Sequence, residues 1–296
     1  MFENLSFREL RELSSIPENC RKLLCNNNYL AKLPCLPNNL KYLDCSHNSL
    51  KELPELPETL VYLNCSNNLL ISLPQLPKSL KVLVCNNNSL ESIPELTPNL
   101  EELYCNDNQI TYIDDLPFKM VNLSCGDNLL QKLPKLNGKI LNVFCSNNRI
   151  ERLEQLPDSL EILSAFDNRI NTIQNFPSKC KFMILNNNIL QSLPTIHSSI
   201  KGGQMSLEIA NNGIQELDMN FEQFNKLDLR GNPICDTEKD YKEWYSNLVE
   251  NRVKSRHFSR LREYKYDLLE VSLHPSRIQQ CMDIESMQNI QLNFKI

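Results

Sequence analysis

Six glycines among 296 residues leave little material for flexible loops or phosphate cradles. No Gly-x-Gly-x-x-Gly and no Walker-type loop occurs, which excludes the common nucleotide-binding motifs. No apolar run reaches the roughly eighteen residues that a membrane-spanning helix needs. The opening residues Met1 to Leu10 lack a basic region followed by an apolar core, so no Sec-type signal peptide is read and a cytoplasmic location is expected. A basic excess is also missing. The net charge of -5 and the pI near 5.5 argue against a general nucleic-acid binder. The twelve cysteines form no Cys-x-x-Cys pair, and His47, His197, His257 and His274 are scattered. The expectation is therefore no metal, no cofactor and no enzyme activity. Alanine occurs only at 31, 165 and 210, while asparagine, lysine and isoleucine abound, the bias of an AT-rich genome.

What the chain has instead is a period. Asparagine recurs at 28, 48, 68, 88, 108, 128, 148, 168 and 188, then at 212 and 232. Self-similarity at a fixed spacing of this length marks a solenoid of stacked repeats. One copy reads Leu40-x-x-Leu43-x-Cys45-x-x-Asn48-x-Leu50-x-x-Leu53-Pro-x-Leu56-Pro. The alternation about Leu43 and Cys45 predicts a short half-buried strand, with Tyr42, Asp44 and Ser46 facing outward. The prolines of the return segment remove donors and exclude helix, so an extended, polyproline-like back is expected. The asparagine suits the turn after each strand, where it can satisfy main-chain groups of its own and the next loop.

Three divisions follow. Residues 1–19 read as an incomplete repeat that caps the open end of the core, residues 20–235 as about eleven repeats, and residues 236–296 as a C-terminal helical cap. In the last of these, Tyr241, Trp244, Tyr245, Leu248 and Val249 share one helical face. Loss of proline at Ile113-Asp114, Leu136-Asn137-Gly138 and Ile173-Gln174 predicts a locally looser back. The spacing from Asn188 to Asn212 marks an insertion near Lys201-Gly202-Gly203-Gln204.

Cys25, Cys45, Cys65, Cys85, Cys105, Cys125 and Cys145 occupy one inward position that continues as Ala165, Leu185, Ile209 and Leu229. Exchange with plain hydrophobes identifies the position as core. Parallel strands hold their side chains roughly 4.8 Å apart, too far for the roughly 3.8 Å between Cβ atoms that a disulfide needs, so reduced thiols are expected.

The repeats resemble leucine-rich repeats with cysteine in place of one leucine. They are similar to those of the bacterial type III effector family that includes YopM and the IpaH ubiquitin ligases. The resemblance implies a mostly β solenoid of the α/β repeat type: a leucine-rich repeat superhelix with a parallel concave sheet and a proline-rich convex side. It further implies a non-enzymatic adaptor or effector, with the substrate-recognition part of a ubiquitin ligase, or a vestige of one, as the alternative. Cys281-Met-Asp283 has the spacing of the ligase motif, but some sixty residues after the repeats are too few for that catalytic domain. The stretch Leu268 to Ile278 resembles C-terminal segments of leucine-rich repeat proteins from giant DNA viruses of amoebae.

In such a solenoid the outward strand positions form the binding surface. Two apolar groups emerge there: Tyr42, Tyr62, Val82, Val84 and Tyr104 in the front strands, then Phe144, Ile162, Phe166, Phe182 and Ile184 in the rear ones. Glu101, Glu102, Asp107, Asp127, Glu161 and Asp167 border them and favour a basic protein partner, a host protein if the chain is an effector. No nucleic acid or membrane is expected as a partner, and the sequence leaves the oligomeric state open.

Overall fold

The computed structural model describes residues 2–194, 205–216 and 224–237. The chain divides into two compact units, Met1–Glu238 and Lys239–Ile296. The expected C-terminal helices, the Gly202-Gly203 insertion and Cys281 lie outside the described residues.

Twelve strands of the first unit join in one parallel sheet. They are β1 (Phe2–Asn4), β2 (Lys22–Leu24), β3 (Tyr42–Asp44), β4 (Tyr62–Asn64), β5 (Val82–Val84), β6 (Glu102–Tyr104), β7 (Asn122–Ser124), β8 (Asn142–Phe144), β10 (Ile162–Ser164), β12 (Phe182–Ile184), β13 (Met205–Glu208) and β14 (Phe224–Asp228). Two further strands, β9 (Arg152–Leu153) and β11 (Thr172–Ile173), pair separately on the back. From β1 to β12 the stacking is regular because each strand meets the residue twenty positions on, as Tyr42 meets Tyr62 and Leu43 meets Leu63, while β12 meets β13 at an offset of twenty-four, as Phe182 meets Ser206. The first strand obeys the same register, Phe2 against Lys22. Residues 1–19 thus contribute a strand and a turn of their own at the end of the stack.

The core is the column of inward residues. Leu43, Cys45, Leu50 and Leu60 and their equivalents are wholly buried repeat after repeat. Its fill changes smoothly from thiol to methyl to branched chains at Cys145, Ala165 and Leu185, all fully buried. Eleven cysteines in the described residues are free thiols. Burial pushes the thiols of Cys25, Cys65 and Cys125 up to about 12 and those of Cys45, Cys85, Cys105 and Cys145 well above their ordinary value.

The asparagine column ties the turns together. Asn128 Oδ1 accepts from the Ile110 amide at 3.0 Å, while its Nδ2 donates to the carbonyls of Cys105, Cys125 and Gly126 at 2.9, 3.3 and 3.0 Å. The same four bonds recur at Asn108 and Asn148. Expectation had each side chain serving its own and the following loop. It serves its own and the preceding one, as the Ile110 amide and the Cys105 carbonyl show for Asn128. Asn212 makes the same set despite the insertion, accepting from Leu190 N at 3.0 Å.

A second column runs beside the first. Asn27, His47, Asn67, Asn87, Asp107, Asp127, Asn147, Asp167, Asn187 and Asn211 all adopt left-handed backbone, with φ between 52° and 57°. Short polar side chains tolerate that region best. Several of these side chains bond one to the next, as in Asn87 to Asn67 at 3.0 Å and Asn147 to Asp127 at 2.7 Å. Gly231 closes the series at φ 73°, where an added Cβ would meet Asn211 Oδ1 at 2.1 Å.

The convex side follows its prolines. In most copies the second proline opens a turn whose carbonyl accepts from the amide three residues on, as Leu60 N to Pro57 O at 3.0 Å. At two of the three places where proline is lost, new hydrogen bonds tie the back. Gln174 stands at the place of Pro54 and Pro74 and regains an amide, which donates to Leu153 O at 3.0 Å and helps pair β11 with β9. Asn137 likewise ties itself to Pro117 O at 2.7 Å.

Candidate concave interaction surface

Strand side chains on the face opposite the core stand in three rows, defined by the parallel register. The first contains Tyr42, Tyr62, Val82, Ile162 and Phe182, and the second Asp44, Val84, Tyr104, Phe144 and Ile184. The third, two residues further along, runs Ser46, Ser66, Asn86, Asn106, Gly126, Ser146, Phe166 and Asn186. Side chains of the second and third rows meet, as Ser124 Oγ donating to Asn106 Oδ1 at 2.9 Å shows.

The two apolar groups differ in a way the sequence did not reveal. Tyr42, Tyr62, Val84 and Tyr104 are 1–3 % exposed and Val82 is 9 % exposed, so the front group is not the open aromatic patch that was expected. Like positions on parallel strands cover one another when their side chains are large and flat. The rings of Tyr42 and Tyr62 stack at 4.2 Å, and the Lys22 ammonium sits 4.9 Å from the Tyr42 ring and 5.1 Å from that of Phe2. Burial lowers the Lys22 pKa, against the opposing pull of Asp44. The rear residues Phe144, Ile162, Phe166, Phe182 and Ile184 are all half-buried, and each leaves surface open to a partner.

The acidic border is also altered. Glu101 pairs with Lys81 and Glu161 with Lys181, both at 2.8 Å from one strand to the next. Glu102 accepts from the Tyr104 hydroxyl at 2.7 Å. Asp127 and Asp167 sit in the left-handed column and accept from the amides of Asn147 and Asn187.

Asp44 is a buried carboxylate of this face, as is Asp228 at its far end. Asp44 Oδ1 accepts from the amide and hydroxyl of Ser46 at 3.1 and 2.7 Å. Burial raises its pKa, with the Ser46 bonds and the nearby His47 and Lys22 acting the other way. A carboxyl whose folded pKa is raised binds its proton more tightly folded than unfolded, so native stability falls as pH climbs from the unfolded to the folded value. Asp44→Asn, which copies Asn64 on the next strand, should therefore raise the thermal midpoint at pH 7. The gain should shrink on acidification, and a gain that is constant with pH in a melting series would refute this account.

Among the described residues no group of three His, Cys, Asp or Glu side chains could hold a metal ion. His47 Nε2 lies 3.2 Å from Asn67 Nδ2; the other three histidines lie outside the described residues. A trough on the convex side, bounded by Tyr112, Lys132, Lys135, Glu151, Arg152 and Glu154, mixes both signs of charge and singles out no ligand class.

Comparison with known proteins agrees with this geometry. Residues 78–118 match the family model of leucine-rich repeats (2 copies). No curated protein sequence matches the chain significantly. Among solved structures, YopM from Yersinia enterocolitica WA-314 is 32 % identical with a TM-score of 0.62, over 75 % of this chain and 53 % of that one. This chain thus spans about half of the YopM chain it matches. A leucine-rich repeat protein of Leptospira interrogans aligns at 23 % identity and TM-score 0.55, over 79 % of this chain and 71 % of that one. The plant peptide hormone receptor RGFR1, solved in complex with RGF2, aligns at 21 % and 0.57, over 73 % of this chain and 40 % of the receptor. The two lower identities speak for the fold alone. With its twenty-residue register, its buried leucine and cysteine columns and its asparagine-tied turns, the chain is a leucine-rich repeat protein whose repeats resemble those of YopM-type effectors.

Proposed function

We infer that this protein is a non-enzymatic interaction module, an adaptor or effector, that holds a protein partner on its concave face. The observation that carries the reading is the half-buried apolar group Phe144, Ile162, Phe166, Phe182 and Ile184, gathered on adjacent strands of a rigid sheet. Partly exposed aromatic and branched side chains in one patch are the usual anchors of protein interfaces. The solved receptor with its peptide hormone is a further protein of this fold in a complex. We propose a cytoplasmic location, that of the host for an effector.

The test is a photo-crosslinking amino acid placed at Phe144, at Ile184 and, on the convex side, at Tyr112, in a eukaryotic cell extract. Crosslinks to one discrete protein are expected from the first two positions and not from the third. Combining Phe182→Ala with the crosslinker at 144 should cut the yield at least tenfold while the melting midpoint stays within a few degrees. A discrete partner captured only from Tyr112, or a yield indifferent to Phe182→Ala, would overturn the concave reading.

A further inference from the structure

Resting on that reading, the geometry points to a single socket at the middle of the rear group. Ser164 lies opposite Phe144 on one neighbouring strand and opposite Ile184 on the other. Ile162 precedes it and Phe166 follows it by two residues, with Phe182 beside Ile162. Five half-buried apolar side chains therefore ring a small residue that is itself 7 % exposed. The floor is held low, because Ser164 Oγ is tied sideways to Ser146 Oγ at 3.0 Å. Phe166 is also the one aromatic in its row, where copies from Ser46 to Asn186 otherwise place Ser, Asn or Gly, several of whose side chains or amides bond along the sheet, and the later copies place Ala210 and Arg230. Strand geometry puts the backbones that carry these side chains roughly 10 Å apart across the sheet and roughly 13 Å apart along it. With the side chains projecting between them, that spacing suits a single large apolar side chain.

Charge narrows the occupant further. On the side of Glu161 the carboxylate is matched by Lys181. On the side of Phe166, Asp167 is exposed and its partner is the neutral amide of Asn187. We propose that the Ser164 socket receives one aromatic side chain of a partner segment whose neighbouring residue is a lysine or arginine directed at Asp167.

The probes are N-acetyl-phenylalanyl-arginine amide and N-acetyl-phenylalanyl-glutamate amide, titrated at millimolar concentration into the full chain carrying labelled isoleucine methyls. The first should produce saturable shifts centred on Ile162 and Ile184, and the second should bind at least fivefold more weakly. Ser164→Phe fills the socket and should weaken the first probe at least tenfold, whereas Ser164→Ala should leave it within twofold. Phe166→Asn, the residue type found at 106 and 186, removes one wall without crowding the sheet. It should cost at least fivefold and decides the matter if Ser164→Phe does not fold. Shifts centred elsewhere, no saturation, or affinity indifferent to these variants would overturn the socket. The crosslinking result stands apart from this, since a partner held by the concave face with no probe response at Ile162 and Ile184 would sink the socket alone.

Discussion

Replacing Asn128 with alanine should lower the melting midpoint by roughly 6–12 °C, the shift that about 3 kcal/mol produces in a domain of this size. The side chain is buried and engages one amide and three carbonyls. Alanine leaves the amide of Ile110 without its acceptor inside the stack, and an orphaned buried donor costs about 1–3 kcal/mol by itself. Truncating the exposed Lys132, four residues on, should change the midpoint by little more than the error of the scan. Equal effects at the two positions would show that the turns are held by something other than the asparagine column. The loss should be felt locally, since each copy touches only its neighbours.

Thiol alkylation offers the second large effect. In the native chain at pH 8, Cys125 and its equivalents should react at least about a thousandfold more slowly than Cys35, because only the thiolate is nucleophilic. Cys35 is exposed, whereas Cys125 is fully buried with its thiol pushed up to about 12 by that burial. A thiol so shifted is ionised at pH 8 to about one part in ten thousand, and its sulfur is closed to reagent as well. Denaturant should bring the ladder cysteines to the rate of Cys35. Mass spectrometry of tryptic peptides after timed iodoacetamide treatment reads every site at once. Rapid native labelling at Cys85, Cys105 or Cys125 would mean that the core opens far more often than a packed column of leucine and cysteine allows.

The period made the fold legible. Leu43, Cys45 and Asn48 recur in phase, and a residue that recurs at fixed spacing in a parallel stack must meet its own copies, which fixes register and core together. The left-handed column was equally present in the letters, since positions 27, 47, 67 and onward to 211 hold only Asn, Asp or His and 231 holds Gly. Its backbone requirement became visible with the dihedral angles. Two expectations failed because they treated a residue by itself. Tyr42 faces away from the core as the alternation requires, but its exposure depends on Tyr62 and Lys22, which lie twenty residues to either side. Gln174 was read as a missing proline when it is also a regained donor. The socket escaped notice for a related reason. Its centre, Ser164, is unremarkable in any list of apolar residues and becomes distinctive only when three strands are laid side by side.

The backward reach of the asparagine column gives the stack a direction. Leu90 has its amide satisfied only by Asn108 of the next copy, and Leu190 only by Asn212. Every turn of the coil thus hands an unfinished amide to its successor, and a series built this way needs a terminator. Pro233 supplies it. The residue before each such amide normally donates to a carbonyl in the preceding copy, as Gly213 does to Leu190 O at 2.8 Å, but proline has no hydrogen to give. Ile234 steps into that bond instead, donating to Ile214 O at 2.9 Å as the short helix Ile234–Thr237 begins. The amide that in earlier copies waits for the next asparagine is here used within the preceding copy.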